Sequence, residues 1–304
     1  MSITMRDAFG QALTELHNDP RIIVLDADLG KATRAINFKK VCPERFLDMG
    51  IAEQDMIGTA AGLAICGKIP FATTFAVFAT GRAFEQIRNS VAYPKLNVKI
   101  AATHAGITVG YDGGSHQSVV DIALMRSLPN MVILQPADAI ETKQAIYASI
   151  EYYGPVYIRL SRIATPVIHD PNYKFKIGKA EVLRKGKDVA IIATGIMVSK
   201  ALEAADKLQA EGIKATVVNV PTIKPLDREV IIKVAQETGK VVTAEEHSVI
   251  GGLGSAVCEV LAEEMPTKTK MLGIQDRFGC SGSPDELLKH FKLTVEDIVN
   301  AAKY

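Results

Sequence analysis

The stretch EQDMIGTAAGLAICGKIPFATTF, residues 53–75, joins a helical pattern to a strand pattern and shows the unit from which the chain is built. Residues 53–66 are mostly small and apolar, which predicts a helix that can lie very close to another backbone. Residues 69–75 form a short apolar run, which predicts a buried strand. Helices that alternate with buried strands are typical of parallel sheets covered on both faces.

The same alternation continues along the chain, with one interruption. Other strands are predicted at RIIVLDAD (21–28), NVKIAAT (97–103), NMVILQP (130–136) and PVYIRL (155–160), with helices at about 2–17, 80–92, 118–126 and 138–151. After a connector containing Pro and Lys, strands are predicted at DVAIIATG (188–195), KATVVNV (214–220), KVVTAEEH (240–247) and TKMLGIQD (269–276), with helices at about 197–211, 227–237, 252–264 and 283–303. We therefore predict an α/β fold of two doubly wound domains: a first domain with a mainly parallel sheet at 1–165, a linker at 166–185 and a second domain at 186–304.

The charge and cysteine content limit the class of partner. The 304 residues carry 35 Lys and Arg against 34 Asp and Glu, so nothing favours nucleic acid or an anionic membrane surface as a partner. The four cysteines have no CxxC spacing, the first residues lack a signal-peptide pattern, and no apolar run approaches the ~20 residues of a membrane helix. We expect a reduced, cytoplasmic protein whose ligands are small molecules or proteins.

Glu53 is the acid that begins the quoted helix. An acid in a first helical turn is commonly a favourable partner for the helix dipole. The alternative is a buried carboxyl that shares a proton with a ligand nitrogen. The residues alone leave both interpretations open.

Phenylalanines are concentrated in PFATTFAVFATGRAF, residues 70–84, which holds four of the ten in the chain: Phe71, Phe75, Phe78 and Phe84. The spacing of Phe75 and Phe78 fits a strand and helix that contribute to the core. Stacking on a flat heteroaromatic ligand is the alternative.

Polar residues follow two of the predicted strands. THAGITVGYDGGSHQS, residues 103–118, carries His104, Asp112 and His116 on a Gly-rich loop, where ligand sites of parallel sheets occur. A polar pocket, a metal site and a purely structural loop are all compatible with this loop, although the spacing matches no known zinc motif. GPVYIRLSR, residues 154–162, ends with Arg159 and Arg162, which are suited to a phosphate or carboxylate or are simply solvated.

Taken in order, GIAEQDM (50–56), the Phe-rich segment, THAGITVGYDGGSHQ (103–117) and YIRLSR (157–162) resemble the transketolase family of thiamine diphosphate enzymes. The resemblance covers nearly the whole chain and implies a pyrimidine-binding domain followed by a transketolase C-terminal-like domain. It extends to 1-deoxyxylulose-5-phosphate synthase and, more distantly, to the β subunits of 2-oxo acid dehydrogenases.

The resemblance implies a role for each of the residues in these motifs. Glu53 corresponds to the catalytic glutamate that hydrogen-bonds N1' of the aminopyrimidine, and Phe75 and Phe78 line that ring. For the donor sugar, the resemblance implies His116 as a catalytic residue near the reacting hydroxyls and Asp112 as a contact to the C2-hydroxyl. For the acceptor, it implies that His104 and Arg162 bind the phosphate. Lys31 and Arg34 are weaker candidates for the phosphate site, because DADLGKATR (26–34) departs from the serine-containing family segment.

One family segment is absent from the chain. The Gly-Asp-Gly sequence followed by Asn, through which these enzymes bind the diphosphate and Mg²⁺, does not occur. The resemblance therefore implies the C-terminal half of a split transketolase, with no metal site of its own. It further implies a partner chain that binds Mg²⁺ in an α2β2 heterotetramer.

The implied activity is transfer of a two-carbon ketol unit from a ketose phosphate to an aldose phosphate, as in the pentose phosphate pathway. Three alternatives remain at this point. They are a 2-oxo acid decarboxylating relative, a transketolase for a branched or sulfonated sugar, and a non-catalytic scaffolding subunit.

Overall fold

Two sheets organise residues 3–304, the part of the chain that the computed structural model describes. The strands are β1 (Ile22–Asp26), β2 (Phe46–Asp48), β3 (Ile69–Phe75), β4 (Lys99–Thr103), β5 (Val132–Leu134), β6 (Val156–Arg159), β7 (Glu181–Arg184), β8 (Val189–Ala193), β9 (Ala215–Asn219), β10 (Thr222–Lys224), β11 (Lys240–Ser248) and β12 (Lys268–Ile274). The first sheet has the order β10-β5-β6-β4-β3-β1-β2 and the second the order β12-β11-β8-β9-β7. All pairs are parallel except β10 with β5 and β7 with β9, which confirms the predicted α/β class.

Helices follow most of the strands. They are α1 (Met5–Glu15), α2 (Gly30–Thr33), α3 (Ile36–Val41), α4 (Glu53–Ile65), α5 (Ala76–Arg82), α6 (Asp121–Arg126), α7 (Ala139–Glu151), α8 (Met197–Ala210), α9 (Arg228–Thr238), α10 (Leu253–Glu264), α11 (Pro284–His290) and α12 (Val295–Ala302), with a π-helix at Gln86–Ala92. Within residues 3–304, no helix combines the length and the apolar character needed to span a membrane.

Both faces of the first sheet are buried. In β1, Ile22 and Val24 belong to one apolar cluster, whereas Ile23 and Leu25 belong to another. The first cluster includes side chains of α1 and α7, and the second includes side chains of α4 and α6. Because successive side chains of a strand point to opposite faces, helices cover the sheet on both sides, as the sequence pattern predicts.

The two halves of the chain share a sheet and a core. Strand β10 comes from the second half of the sequence but pairs with β5 of the first sheet. The apolar cluster that includes α1 also includes residues of β8 and α8. The domain limits at 165 and 186 stay predictions, and β7 lies inside the range predicted as linker.

Two predicted helices are interrupted. The helix expected at 80–92 begins earlier, as α5, and changes into the π-helix. The helix expected at 283–303 is divided into α11 and α12, because Lys292 between them has a φ of 57° and cannot continue a right-handed helix. Thr294 and Asp297 form a capping box that starts α12.

A buried carboxylate ties α7 to the segment that leads into the second half. Asp138 caps α7 by accepting from the backbone N–H of Glu141 at 2.8 Å. Its other oxygen accepts from the N–H groups of Ile168 and His169 and lies 2.9 Å from Nδ1 of His169. Burial alone would raise the pKa of Asp138, but these donors hold it below the usual value.

The hydrogen bonds to the Asp138 carboxylate should stabilise the fold, so the Asp138→Ala variant should be less stable than the wild type. Removing the carboxylate leaves buried N–H donors without an acceptor, so we expect the free energy of unfolding to fall by about 3 kcal/mol. Urea denaturation measures this loss. As a control, Ser283→Ala, which removes the cap of α11 at a less buried position, should cost about 1 kcal/mol. Equal losses in the two variants would contradict the conclusion that the buried Asp138 carboxylate stabilises the fold more than an ordinary helix cap does.

Candidate active site

Glu53 is the first residue of α4, and its side chain is only 4% exposed. Its Oε1 accepts a hydrogen bond from Nη1 of Arg82 at 3.0 Å. An open cavity of about 720 Å³ lies against both residues and is also lined by Ile51 and Ala52. The carboxyl is therefore buried, paired with a single cation and next to a space that a ligand can enter.

Two phenylalanines lie near Glu53, on the other side of Arg82. The rings of Phe75 and Phe78 are stacked, with centroids 5.8 Å apart and planes at 15°. The Arg82 guanidinium carbon lies 4.2 Å from the Phe78 centroid, so one arginine contacts both the Glu53 carboxylate and the aromatic face. Through one arginine, the structure thus connects the acid and the aromatic pair, which the residues alone leave as separate candidates and which the resemblance assigns to one ring.

The two predicted histidines contact this aromatic pair. His104 stacks on Phe75 with ring centroids 3.8 Å apart, and His116 meets the Phe78 ring edge-on at 5.3 Å. Burial lowers the pKa of His104 to about 3, with a further contribution from nearby arginines. His104 is therefore neutral near pH 7 and can act as a hydrogen-bond donor but not as a cation.

Asp112 and Arg162 form an ion pair at the same loop. Nη1 of Arg162 lies 3.1 Å from Oδ2 of Asp112 and also donates to the carbonyl of Val109 at 2.5 Å. Both side chains are more than a third exposed, so each keeps donors or acceptors that face solvent. The sequence predicts separate ligand contacts for these two residues, whereas the structure pairs them with each other.

Arg6 and Arg82 are absent from the sequence prediction. Arg6 Nε is buried without a hydrogen-bond partner, and burial together with the charges of Arg34 and Arg162 lowers the pKa of Arg6. Three arginines therefore lie close enough for their charges to interact, and Asp7 offsets only part of their charge by pairing with Arg34 at 2.7 Å. An arginine in the first turn of α1 opposes the helix dipole and is the sequence signal that would have identified Arg6.

The signal for Arg82 is its spacing. It lies four residues after Phe78 on α5, and side chains at this spacing share one face of a helix.

Two other candidates lie elsewhere. Arg159 is about 1% exposed and binds the buried Asp121, so it is not available to capture a phosphate or carboxylate. Lys31 lines a separate cavity with Asp26, Asp28 and other residues, and it is the only candidate residue in that cavity. Among residues 3–304, no group of three or more His, Cys, Asp or Glu side chains could hold a metal ion.

Comparisons with known proteins cover nearly the whole chain. Residues 1–167 match the family model of the transketolase pyrimidine-binding domain, and residues 178–298 match that of the transketolase C-terminal domain. A solved structure described as a split gene transketolase, inactive beta4 tetramer, is 56% identical, with a TM-score of 0.93, and the match covers 99% of this chain and 97% of that one.

Two relatives of similar length agree with this match. A Methanocaldococcus jannaschii protein with the provisional name of a transketolase C-terminal section is 52% identical, over 97% of this chain and 93% of that protein. The 6-deoxy-6-sulfo-D-fructose transketolase subunit of Clostridium sp. (strain MSTE9) is 46% identical, over 98% of this chain and 93% of that protein. The predicted resemblance is confirmed: the chain belongs to the transketolase family, of which it contains the pyrimidine-binding and C-terminal domains.

Proposed function

We propose that this chain is one subunit of a thiamine diphosphate-dependent transketolase, which moves a two-carbon ketol unit from a ketose phosphate to an aldose phosphate. The observation that carries the proposal is the continuous series of contacts from Glu53 through Arg82 and Phe78 to Phe75 and His104. A buried acid beside an open cavity is followed, through Arg82, by a flat aromatic face and a neutral histidine.

The residues fit the pyrimidine end of this cofactor. A buried carboxyl can share a proton with a ring nitrogen, and a half-buried phenylalanine offers a face to a flat heterocycle. Glu53 and Phe78 would hold the ring, with Phe75 behind Phe78. Thiamine diphosphate, when bound, supplies the carbon nucleophile that attacks the sugar carbonyl. Arg82 now lies between the Glu53 carboxyl and the Phe78 ring, so its side chain would have to shift when the cofactor ring binds there.

The substrate groups would be divided between two clusters. His116 and Asp112 would contact the donor hydroxyls, and His116 would exchange a proton at the reacting hydroxyl. Arg162 and Arg6, with His104 as a neutral donor, would hold the acceptor phosphate, since clustered guanidinium groups with unused donors suit a dianion.

A partner chain would supply the remaining half of the cofactor site. This sequence lacks the family's Gly-Asp-Gly and Asn segment, and the described residues include no metal-ligand cluster. We propose an N-terminal transketolase subunit that binds the diphosphate and Mg²⁺, in an α2β2 heterotetramer. In support, the similar solved chain is described as a split gene product that is inactive as a β4 tetramer.

A sulfonated sugar is a second candidate substrate. The arginine cluster would bind a sulfonate as well as a phosphate, because both are tetrahedral oxyanions that accept from guanidinium groups. One relative at 46% identity is named for a 6-deoxy-6-sulfo sugar. The two candidates differ only in the anion and share the same residues.

Purification of the native complex tests the proposed partner. Affinity purification from the native host, followed by mass spectrometry, should recover a stoichiometric chain that carries the Gly-Asp-Gly and Asn segment. The purified chain alone should show no ketol transfer with thiamine diphosphate and Mg²⁺, and addition of the partner should restore it. Activity of the chain alone would contradict the split assembly, and CO2 release from pyruvate would favour the decarboxylating alternative.

Substitution of Glu53 tests its proposed catalytic role. In the reconstituted complex, Glu53→Gln should lower kcat by at least about 100-fold, because the amide cannot share the proton that the carboxyl shares. The amide oxygen can still accept from Arg82, so the thermal unfolding midpoint should change little. Glu229→Gln, which changes an exposed acid in the first turn of α9, is the matched control and should retain full activity. If the Glu53→Gln complex keeps the wild-type rate, this chain contributes no catalytic acid, which would support the scaffolding alternative.

Substitution of the two arginines tests the proposed anion contacts. Arg162→Gln and Arg6→Gln should each raise the KM for a phosphorylated acceptor about tenfold, because each removes one charge-assisted contact. The kcat/KM for an unphosphorylated aldehyde acceptor should stay within a factor of about two in both variants. If both acceptors lose activity equally, the arginines do not recognise the anion. The same pair of assays with sulfonated sugars distinguishes the two candidate substrates.

A further inference from the structure

The loop that carries Asp112 and His116 is braced by the second half of the chain. We define the Gly-rich loop as residues 104–118, which follow β4. Glu246, in β11 of the second sheet, accepts from the backbone N–H of Thr108 at 2.6 Å. A Cβ built on Gly106 would lie 2.2 Å from the Glu246 carboxyl carbon, so the carboxyl packs directly against this glycine backbone.

A second contact comes from the segment after β12. Nε2 of Gln117 donates to the carbonyl of Cys280 at 2.8 Å and to the loop carbonyls of Ile107 and Gly110 at 3.2 Å. Gln117 is 3% exposed, so a single buried amide joins both ends of the loop to the second half of the chain.

The third contact lies next to a predicted substrate residue. Oγ of Ser281 donates to the carbonyl of Tyr111 at 2.8 Å, one residue before Asp112. Close by, a Cβ on Gly114 would lie 2.6 Å from the carbonyl oxygen of Gly279, so the two backbones touch there.

The end of the loop is fixed by Arg159. Its guanidinium binds Asp121 and also donates to the carbonyls of Ser118 and Glu246, at 3.2 and 3.1 Å. All of these groups are buried. The arginine that the sequence presents as a ligand candidate therefore ties the loop to β11.

We propose that the second half of the chain positions the Gly-rich loop and so determines which donor sugar Asp112 and His116 accept. Glu246 and Ser281 are positioning residues in this arrangement, since their contacts are to loop backbone and their effect passes through Asp112 and His116. The inference rests on the proposed ketol transfer and assigns to the C-terminal domain a task in substrate selection.

Glu246 offers a conservative substitution. Burial raises the pKa of its carboxyl to about 7, so a substantial fraction is neutral near neutral pH. Glutamine has the same shape, is neutral and keeps an oxygen that accepts from Thr108. Glu246→Gln should therefore behave like the wild type, whereas Glu246→Ala removes the brace.

Glu245 provides the matched control. It is as buried as Glu246, and burial raises its pKa to about 7 as well, but it accepts from the N–H groups of Leu253 and Gly254 at the start of α10. Glu245→Ala therefore disturbs the second half of the chain without removing a contact to the loop.

The test combines two measurements. Hydrogen exchange in the full chain should become at least about tenfold faster across the Gly-rich loop in Glu246→Ala, and about threefold faster in Ser281→Ala. In the reconstituted complex, the kcat/KM ratio for two ketose phosphates epimeric at C3 should fall about tenfold in Glu246→Ala, while the thiamine diphosphate Kd stays within twofold. Glu246→Gln and Glu245→Ala should keep both the loop exchange and the epimer ratio near wild type.

The inference is overturned if Glu246→Ala is folded and its loop exchange or epimer ratio equals that of Glu245→Ala. A wild-type complex that transfers no ketol unit would overturn the proposed function instead. In that case the exchange comparison still decides whether Glu246 braces the loop, and it requires no partner or substrate.

Discussion

The buried ion pair of Arg159 and Asp121 is the constraint on which the arrangement of the two sheets depends. Nε of Arg159 lies 2.6 Å from Oδ2 of Asp121, which also accepts from the Tyr157 hydroxyl at 2.7 Å. Two charges removed from water are tolerated only if their remaining donors and acceptors are also satisfied. Nη2 of Arg159 also reaches carbonyls of the Gly-rich loop and of β11, so the pair permits only a narrow range of positions for both.

The candidate site also holds a buried charged group, but one that borders an open cavity. For the proposed proton exchange, Glu53 has to be buried enough to exchange a proton with a ligand rather than with water, yet it must be reachable. The start of α4 meets both conditions, because the helix is buried behind it and a cavity opens in front. Arg82 balances the charge, and its own side chain is half-exposed. His104 is kept neutral by the same burial that encloses Phe75.

Nine of the twelve described strands and most helices could be predicted, because a buried strand leaves a short apolar run and an amphipathic helix leaves a periodic pattern. The family motifs single out Glu53, Phe75, Phe78, His104 and His116, and these side chains lie close together in the structure, although their roles stay predictions. What the pattern could not show were pairings distant in sequence. Arg159 and Arg162 look alike in YIRLSR, but only the fold shows that one faces Asp121 in the interior and the other faces the loop. The short strand β10 has no periodicity long enough to reveal that it joins the other sheet.

That strand also affects how the protein could be taken apart. An excised first half ending near residue 165 would lack β10, and β5 would keep β6 on one side but lose its hydrogen-bonded neighbour on the other. An unpaired strand edge is a template for association with other chains. The two halves are thus distinct in sequence but interlocked in structure, and a truncated fragment is expected to aggregate for a reason unrelated to its ligand site.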